Sequence, residues 1–275
     1  ILFGVLSSGF SGLVVNEVFR GRSVNHDYVE FLVTSDISLG QLDTMWFGDS
    51  RFSSWIIESE NNFSASQIIS NSSYFSSSSD VIKAGTLLSV GGSQVGTDFN
   101  YNPNTPNVND NDAWNITLGA GQGFNTSPNS YPFDLDRRND VVWVASAQPT
   151  WFGDTSNFTS ALAFARDPGY LAAQVGAIEA SGNDAFQLIT PPEFDGNLPT
   201  NRSLSNMNGA AIDFSDSEMR GGTIGVANSA SNLAAISSLR AVPEPSTILL
   251  LVAGLVPALW IRLRKRRNAS ATVTP

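Results

Sequence analysis

Short, largely apolar stretches separated by polar segments recur along this 275-residue chain. They are rich in β-branched and aromatic residues and are bounded by Gly, Asn, Asp or Ser, a pattern typical of β-strands joined by turns. The pattern predicts strands over residues 13–19, 28–33, 37–47, 55–58, 86–90, 114–118, 141–145 and 185–188.

Other segments favour turns or helices. Ser, Asn and Gly crowd residues 61–80, 100–111 and 119–132, which are therefore expected to connect strands. Helical propensity is favourable only over 158–166 and 171–180. The chain is accordingly expected to be all-β, with strand spacing that suits a sandwich.

A short sequence occurs twice, as Trp46-Phe-Gly-Asp-Ser and Trp151-Phe-Gly-Asp-Thr. It is interpreted either as a duplicated strand end and turn, or as two independent hairpins that each turn through Gly-Asp. A repeat architecture would need at least three matching units.

The C-terminal region begins with a proline-bearing motif: Val242, Pro243, Glu244, Pro245 and Ser246. Its two prolines fix the backbone and prevent a regular helix across the junction. The apolar run 247–261 follows, and its 15 residues predict a short transmembrane helix with Trp260 at the interface.

A basic cluster follows the apolar run: Arg262, Arg264, Lys265, Arg266 and Arg267. Such a cluster stops transfer and stays on the cytoplasmic side, so the residues before Pro243 are expected outside the inner membrane and 268–275 form a cytoplasmic tail. The alternative is a buried core helix followed by a basic surface patch.

These three parts, in this order, resemble the PEP-CTERM sorting signal of Gram-negative bacteria over residues 242–267. The resemblance implies export through the secretion translocon and a transient inner-membrane intermediate held by the C-terminal helix. It also implies cleavage near 243–245 by an exosortase-type membrane protease and delivery to the cell surface or extracellular matrix. Residues 1–12 are expected to be a signal-peptide remnant, the alternative being a first strand at 2–6.

Charge narrows the choice of partners. The chain has 15 basic and 25 acidic residues, and five of the basic residues lie in the tail with Glu244. The remainder therefore carries 10 basic and 24 acidic residues, a net charge of −14. Such a field disfavours nucleic acid and leaves cations, basic partners and neutral glycans as candidates.

Four segments resemble the motifs of lamin-tail-like domains. Residues 15–18 match an I-N-E-[VIL] strand, and residues 28–31 match the [FY]-[VI]-E-[LF] strand that pairs with it. Residues 202–207 match an S-L-x-R-like segment, and residues 222–228 a T-P-G-x-x-N-like finish with Ile224 in place of proline.

That family implies an immunoglobulin-like β-sandwich that in bacteria rides on surface and secreted proteins as an accessory or interaction module. Here the domain would span 13–233, with long insertions at 52–80 and 149–183 and a linker at 234–242. Glu17 and Glu30 are interpreted as structural residues at a sheet edge, paired with arginines such as Arg20, Arg22 or Arg202.

The residue types present exclude most catalytic chemistry. The chain has no cysteine and one histidine, so a thiolate nucleophile is excluded and a zinc site or Ser-His-Asp triad is disfavoured. His26 is expected in a turn between the first two strands. No enzymatic activity is expected, although carboxylate pairs for glycoside hydrolysis stay open: Asp134 with Asp136, or Glu58 with Glu60.

One polar segment, NVNDND at 107–112, suggests calcium. Asp110 and Asp112 offer the hard oxygen ligands that Ca²⁺ prefers, although the EF-hand pattern is absent. The alternative is a solvated loop with Asx turns, and no other cofactor is expected.

The sequence predicts a structural or adhesive protein of the cell surface or extracellular matrix. The alternative is a calcium-assisted carbohydrate-binding module that uses exposed aromatic residues such as Trp114 or Trp151, or a secreted glycoside hydrolase. Extracellular polysaccharide is therefore a candidate partner.

Overall fold

The computed structural model describes residues 12–51, 56–105, 112–125, 131–135, 139–149, 157–165, 186–189, 202–206, 217–220 and 222–241. The chain divides into two compact units, 1–240 and 241–275, and the described residues before Ala241 belong to the first. Residues 1–11 of the signal-peptide remnant expected at 1–12, and the whole region 242–275, lie outside the described residues.

The described residues form fourteen strands: β1 (Leu13–Arg20), β2 (Tyr28–Val33), β3 (Ile37–Ser38), β4 (Trp46–Arg51), β5 (Ile56–Phe63), β6 (Val81–Ile82), β7 (Leu87–Gly91), β8 (Asn115–Leu118), β9 (Phe124–Asn125), β10 (Asn139–Ala145), β11 (Phe158–Ala165), β12 (Phe186–Ile189), β13 (Arg202–Asn206) and β14 (Ser217–Arg220). They also form three α-helices: α1 (Leu39–Leu42), α2 (Ala65–Asn71) and α3 (Ala230–Arg240). The all-β expectation is confirmed.

Two six-stranded sheets contain most of these strands, in the orders β14-β13-β1-β2-β7-β8 and β12-β11-β10-β4-β5-β9. Neighbouring strands are antiparallel except for the parallel pairs β7 with β8 and β11 with β12. β3 and β6 form a separate two-stranded sheet.

The two large sheets share one apolar core. Val18 and Phe31 of the first sheet and Phe47 and Val142 of the second belong to the same buried cluster. Phe47 packs against four other core rings: Phe31, Phe63, Phe124 and Phe133. Burial of such large side chains from both inner faces stabilises the sandwich.

A second apolar cluster lies on the outer face of the first sheet. Val14, Leu32 and Leu87 pack there against Ile236 of α3. The linker expected at 234–242 is therefore wrong over 234–240, because Ile236 is fully buried and holds this helix on the sheet.

Two other predictions were also wrong. The segment expected to be helical at 158–166 forms β11, because Leu162 enters the core and the strand pairs along the length of β10. The strand expected at 37–47 is interrupted by α1. Ser38 Oγ accepts from Gln41 N at 3.1 Å and Ser38 N donates to Gln41 Oε1 at 2.9 Å, a capping box that starts the helix.

Candidate functional site

Two buried acidic sites lie on the described sheets, one on each. The first begins with Glu17 and Glu30, which are register partners on the antiparallel strands β1 and β2. Both side chains are fully buried. β1 and β2 are the two central strands of their sheet, so the expected place at a sheet edge is wrong.

Hydrogen-bond donors surround Glu30 on the sheet. Asn16 Nδ2 donates to its Oε1 at 2.9 Å, and Ser89 Oγ donates to its Oε2 at 3.1 Å. Ser89 is the register partner of Glu30 on β7, and Asn16 lies at a bulge in β1 that brings its side chain to the same face. Tyr28 Oη donates to Glu17 Oε2 at 3.2 Å.

The remaining described donors come from a distant segment, residues 222–228, which we call the C-terminal strap. Thr223 N donates to Glu17 Oε1 at 3.2 Å, and Gly225 N donates to Glu30 Oε2 at 2.7 Å. Three arginines were expected to pair with the glutamates. Arg20 donates from Nε to Leu135 O, and Arg22 is exposed. The side chain of Arg202 lies outside the described residues.

Glycine is required at one strap position in particular. Gly225 has a positive φ of 71°, and a Cβ there would lie 2.6 Å from Asn115 Nδ2. A side chain would therefore add backbone strain and a collision with β8.

Helix α3 continues the strap and is fixed at both ends. Asn232 Nδ2 donates to Asn16 Oδ1 at 3.0 Å near its start. At its end, Arg240 Nε donates to Gly85 O at 2.8 Å and the guanidinium lies 5.1 Å from the centre of the Trp114 ring.

Burial changes the acid–base properties of this site. Desolvation raises the pKa of Glu30 from 4.5 to about 8, and repulsion from Glu17 adds to the rise. Desolvation and the same two glutamates raise the pKa of Tyr28 above its ordinary value, so its hydroxyl keeps its proton and acts as a donor.

The second acidic site consists of Asp49, Glu58 and Asp140, which we call the carboxylate cluster. One carboxylate oxygen of each lies within 4.8 Å of those of the other two. Asp49 pairs in register with Ser59 of β5 and Val142 of β10. Asp49 and Asp140 therefore lie on the same faces of their strands as core residues, and their side chains face the interior of the sandwich.

A β-bulge brings in the third carboxylate. The register between β4 and β5 shifts after Asp49, so Ser59 pairs with Asp49, Ile57 pairs with Ser50, and Glu58 lies between them. A bulge of this kind turns a side chain away from the regular alternation. Glu58 is half-buried, whereas Asp49 and Asp140 are fully buried.

Residues 131–135 lie beside the cluster and connect the two sheets. Ser59 Oγ donates to Pro132 O at 2.7 Å, and Asp134 N donates to Asp49 Oδ1 at 3.2 Å. Leu135 N donates to Asp27 Oδ2 at 3.2 Å, just before β2 of the other sheet. Desolvation raises the pKa of Asp49 from 3.8 to about 8 and that of Asp27 to about 7.

Most residues predicted to carry function are separate from these two sites. Asp110 and the sorting residues 242–246 and 262–267 lie outside the described residues, and Asp112 begins a 3-10 turn at Asp112–Trp114 with its side chain undescribed. His26 ends a 3-10 turn, as predicted, with Ser23 Oγ 3.0 Å from its Nδ1.

The carbohydrate-binding and hydrolase residues have mixed outcomes. Trp114 was expected to be exposed, but it is buried, because Arg240 of α3 packs over its ring; Trp151 lies outside the described residues. Glu58 belongs to the carboxylate cluster, and Glu60 accepts from Gln148 Nε2 at 3.0 Å. Asp134 contributes its backbone amide to Asp49, and Asp136 is outside the description.

Sequence reasoning missed Asp49 and Asp140. Gly48-Asp49 was interpreted as a turn, whereas both residues lie within β4. The signal was present, because Asp49 is two residues after Phe47 and Asp140 two before Val142, the spacing of side chains on one strand face.

Comparisons with known proteins gave no match to this chain among family models, curated proteins or solved structures. Within the described part of the chain, no helix is long and apolar enough to cross a membrane. The apolar run 247–261 is not part of that description.

Proposed function

We propose that this protein is exported, sorted by an exosortase-type protease, and retained at the cell surface or in the extracellular matrix in a structural or adhesive role. The proposal rests on the order of three segments in the sequence: the motif 242–246, the apolar run 247–261 and the basic cluster. Each segment has a separate physical role in holding and releasing a membrane intermediate.

The domain before this signal is proposed to be an immunoglobulin-like, lamin-tail-like sandwich. The meeting of three motif segments supports the proposal, since Glu17 and Glu30 come from the first two and Thr223 and Gly225 from the last. A chance match of short motifs would not require segments so distant in sequence to contact one another. No catalytic role is proposed for the two glutamates, because strap and sheet donors occupy their oxygens.

A localisation experiment tests the proposal. The full chain would be expressed in a Gram-negative host that has an exosortase-type protease, beside a Pro243→Ala/Glu244→Ala/Pro245→Ala variant and a Pro275→Ala control. We expect wild type and control in the surface or medium fraction, and the motif variant in the inner membrane at full length. Equal release of all three, or release from a host lacking the protease, would contradict the proposal.

An adhesion assay addresses the proposed role. Released protein would be mixed with washed cells and with extracted surface polysaccharide, and pelleted protein would be measured. Association with cells or polysaccharide supports a structural or adhesive role. Release of reducing sugar from the polysaccharide, lost in an Asp→Asn variant, would instead favour the hydrolase alternative.

A further inference from the structure

The carboxylate cluster carries an inference that goes beyond sorting and surface retention. Its members come from three neighbouring strands, β4, β5 and β10, so the sheet itself fixes their separation. We propose that Asp49, Glu58 and Asp140 bind one calcium ion, which links these strands beside residues 131–135.

Asp49 provides an observation independent of the clustering. Its Oδ1 contacts Ser59 Oγ and accepts from Asp134 N, which fix the carboxylate in one orientation. Its Oδ2 is buried and has no hydrogen-bond partner, in a side chain with no solvent exposure. A buried carboxylate oxygen without a partner is costly, and a bound cation satisfies it.

The donor set selects a hard cation. The cluster offers oxygen ligands only, and the chain has no cysteine and a single histidine, which ends a 3-10 turn beside Ser23. Oxygen ligands favour calcium or magnesium over zinc.

Spacing and access suit calcium. The three carboxylate oxygens lie within 4.8 Å of one another, a separation that calcium bonds of about 2.4 Å can accommodate in one coordination shell. Glu58 is half-buried, so the ion has a route from solvent and water can complete its coordination. Extracellular modules bind calcium with dissociation constants of about 0.1–1 mM.

The test uses the full chain in detergent micelles, with wild type, Asp49→Asn and Glu58→Gln. The matched control is Asp110→Asn/Asp112→Asn, which alters the loop whose sequence suggests calcium. Each protein is melted in chelator and in about 5 mM CaCl₂ or MgCl₂, a concentration above the expected dissociation constant. Terbium luminescence reports binding directly. Buried Trp143 donates a hydrogen bond to Ser50, the neighbour of Asp49, so it is close enough to transfer excitation energy to bound terbium.

We expect calcium to raise the melting temperature of wild type and of the loop control by roughly 3–5 °C, and magnesium to raise it less. In Asp49→Asn and Glu58→Gln the rise should vanish and terbium should bind more than about tenfold more weakly. In chelator, Asp49→Asn should melt no lower than wild type, because its amide can donate to the neighbouring carboxylates.

Two results would overturn the proposal. One is that calcium does not raise the melting temperature of folded wild type. The other is that calcium raises the melting temperature of the cluster variants as much as that of wild type, but does not raise that of the loop control. If Asp49→Asn does not fold, Glu58→Gln decides the question alone, since its side chain is only half-buried and the substitution keeps its size.

Discussion

Glu17 and Glu30 lie directly opposite each other on adjacent strands, and Thr223, 206 residues after Glu17, donates its backbone amide to Glu17. Two like charges in this position would repel each other in a bare sheet. Here the strap supplies donors to both, through Thr223 N and Gly225 N. The C-terminal part of the domain therefore stabilises a site made by its first two strands.

The first prediction concerns the pH dependence of stability. The pKa of Glu30 is raised from 4.5 to about 8 by desolvation and by Glu17. A raised pKa means that the folded state binds the proton more tightly, so this contribution is present below pH 4.5 and is lost as pH rises through about 8. The unfolding free energy of wild type should therefore fall between these two pH values. In Glu30→Gln this fall should be smaller, by a few kcal/mol at most.

Denaturant titrations between these pH values, on the full chain in detergent, measure this change. Asp36→Asn is the control, because Asp36 is exposed and its Oδ2 forms an ion pair with Lys83 Nζ at 3.0 Å on the surface. Parallel profiles for wild type and Glu30→Gln would show that the glutamate pair does not govern the pH dependence.

The second prediction concerns the strap glycine. Gly225→Ala should lower the unfolding free energy by about 2–3 kcal/mol, from positive φ and from contact with Asn115. Gly121→Ala is the matched control, because Gly121 has a similar φ of 74° and open space around it. Its cost should be about 1 kcal/mol, from backbone strain alone. If denaturant unfolding shows that both variants lose the same unfolding free energy, the contact with Asn115 adds nothing to the cost of Gly225→Ala.

Several elements could be predicted from the sequence because their pattern is local. β2 begins and ends at its predicted residues, and β1 extends one residue further, since a run of β-branched and aromatic residues between turn residues defines both. β11 could not be predicted, because its alanines favour a helix and pairing with β10 overrides that preference.

The two buried sites show the same limit. The motif similarity singled out Glu17 and Glu30, but their strap contacts join residues about two hundred positions apart. The carboxylate cluster depends on the registers of β4 with β5 and β10, and on a bulge at Glu58. The spacing from core residues indicates the face of Asp49 and Asp140, but the bulge that brings in Glu58 depends on how β4 pairs with β5 in the folded sheet.

The third prediction concerns the end of α3. Arg240→Ala removes the hydrogen bond to Gly85 O and the contact with Trp114, and should lower the unfolding free energy by about 1–2 kcal/mol. Hydrogen exchange should accelerate at the last turn of α3 more than in β2. Arg22→Ala, at an exposed residue, should change neither quantity. Unchanged exchange in Arg240→Ala would show that the contacts of Asn232 and Ile236 hold the helix without Arg240.

The most direct measurement of the central claim is the C-terminal mass of the protein recovered from the cell surface or medium of its exporting host. The account predicts a chain that ends near Val242–Pro245 and lacks the apolar run and basic cluster. Surface protein that still carries the sequence through Pro275 would contradict it.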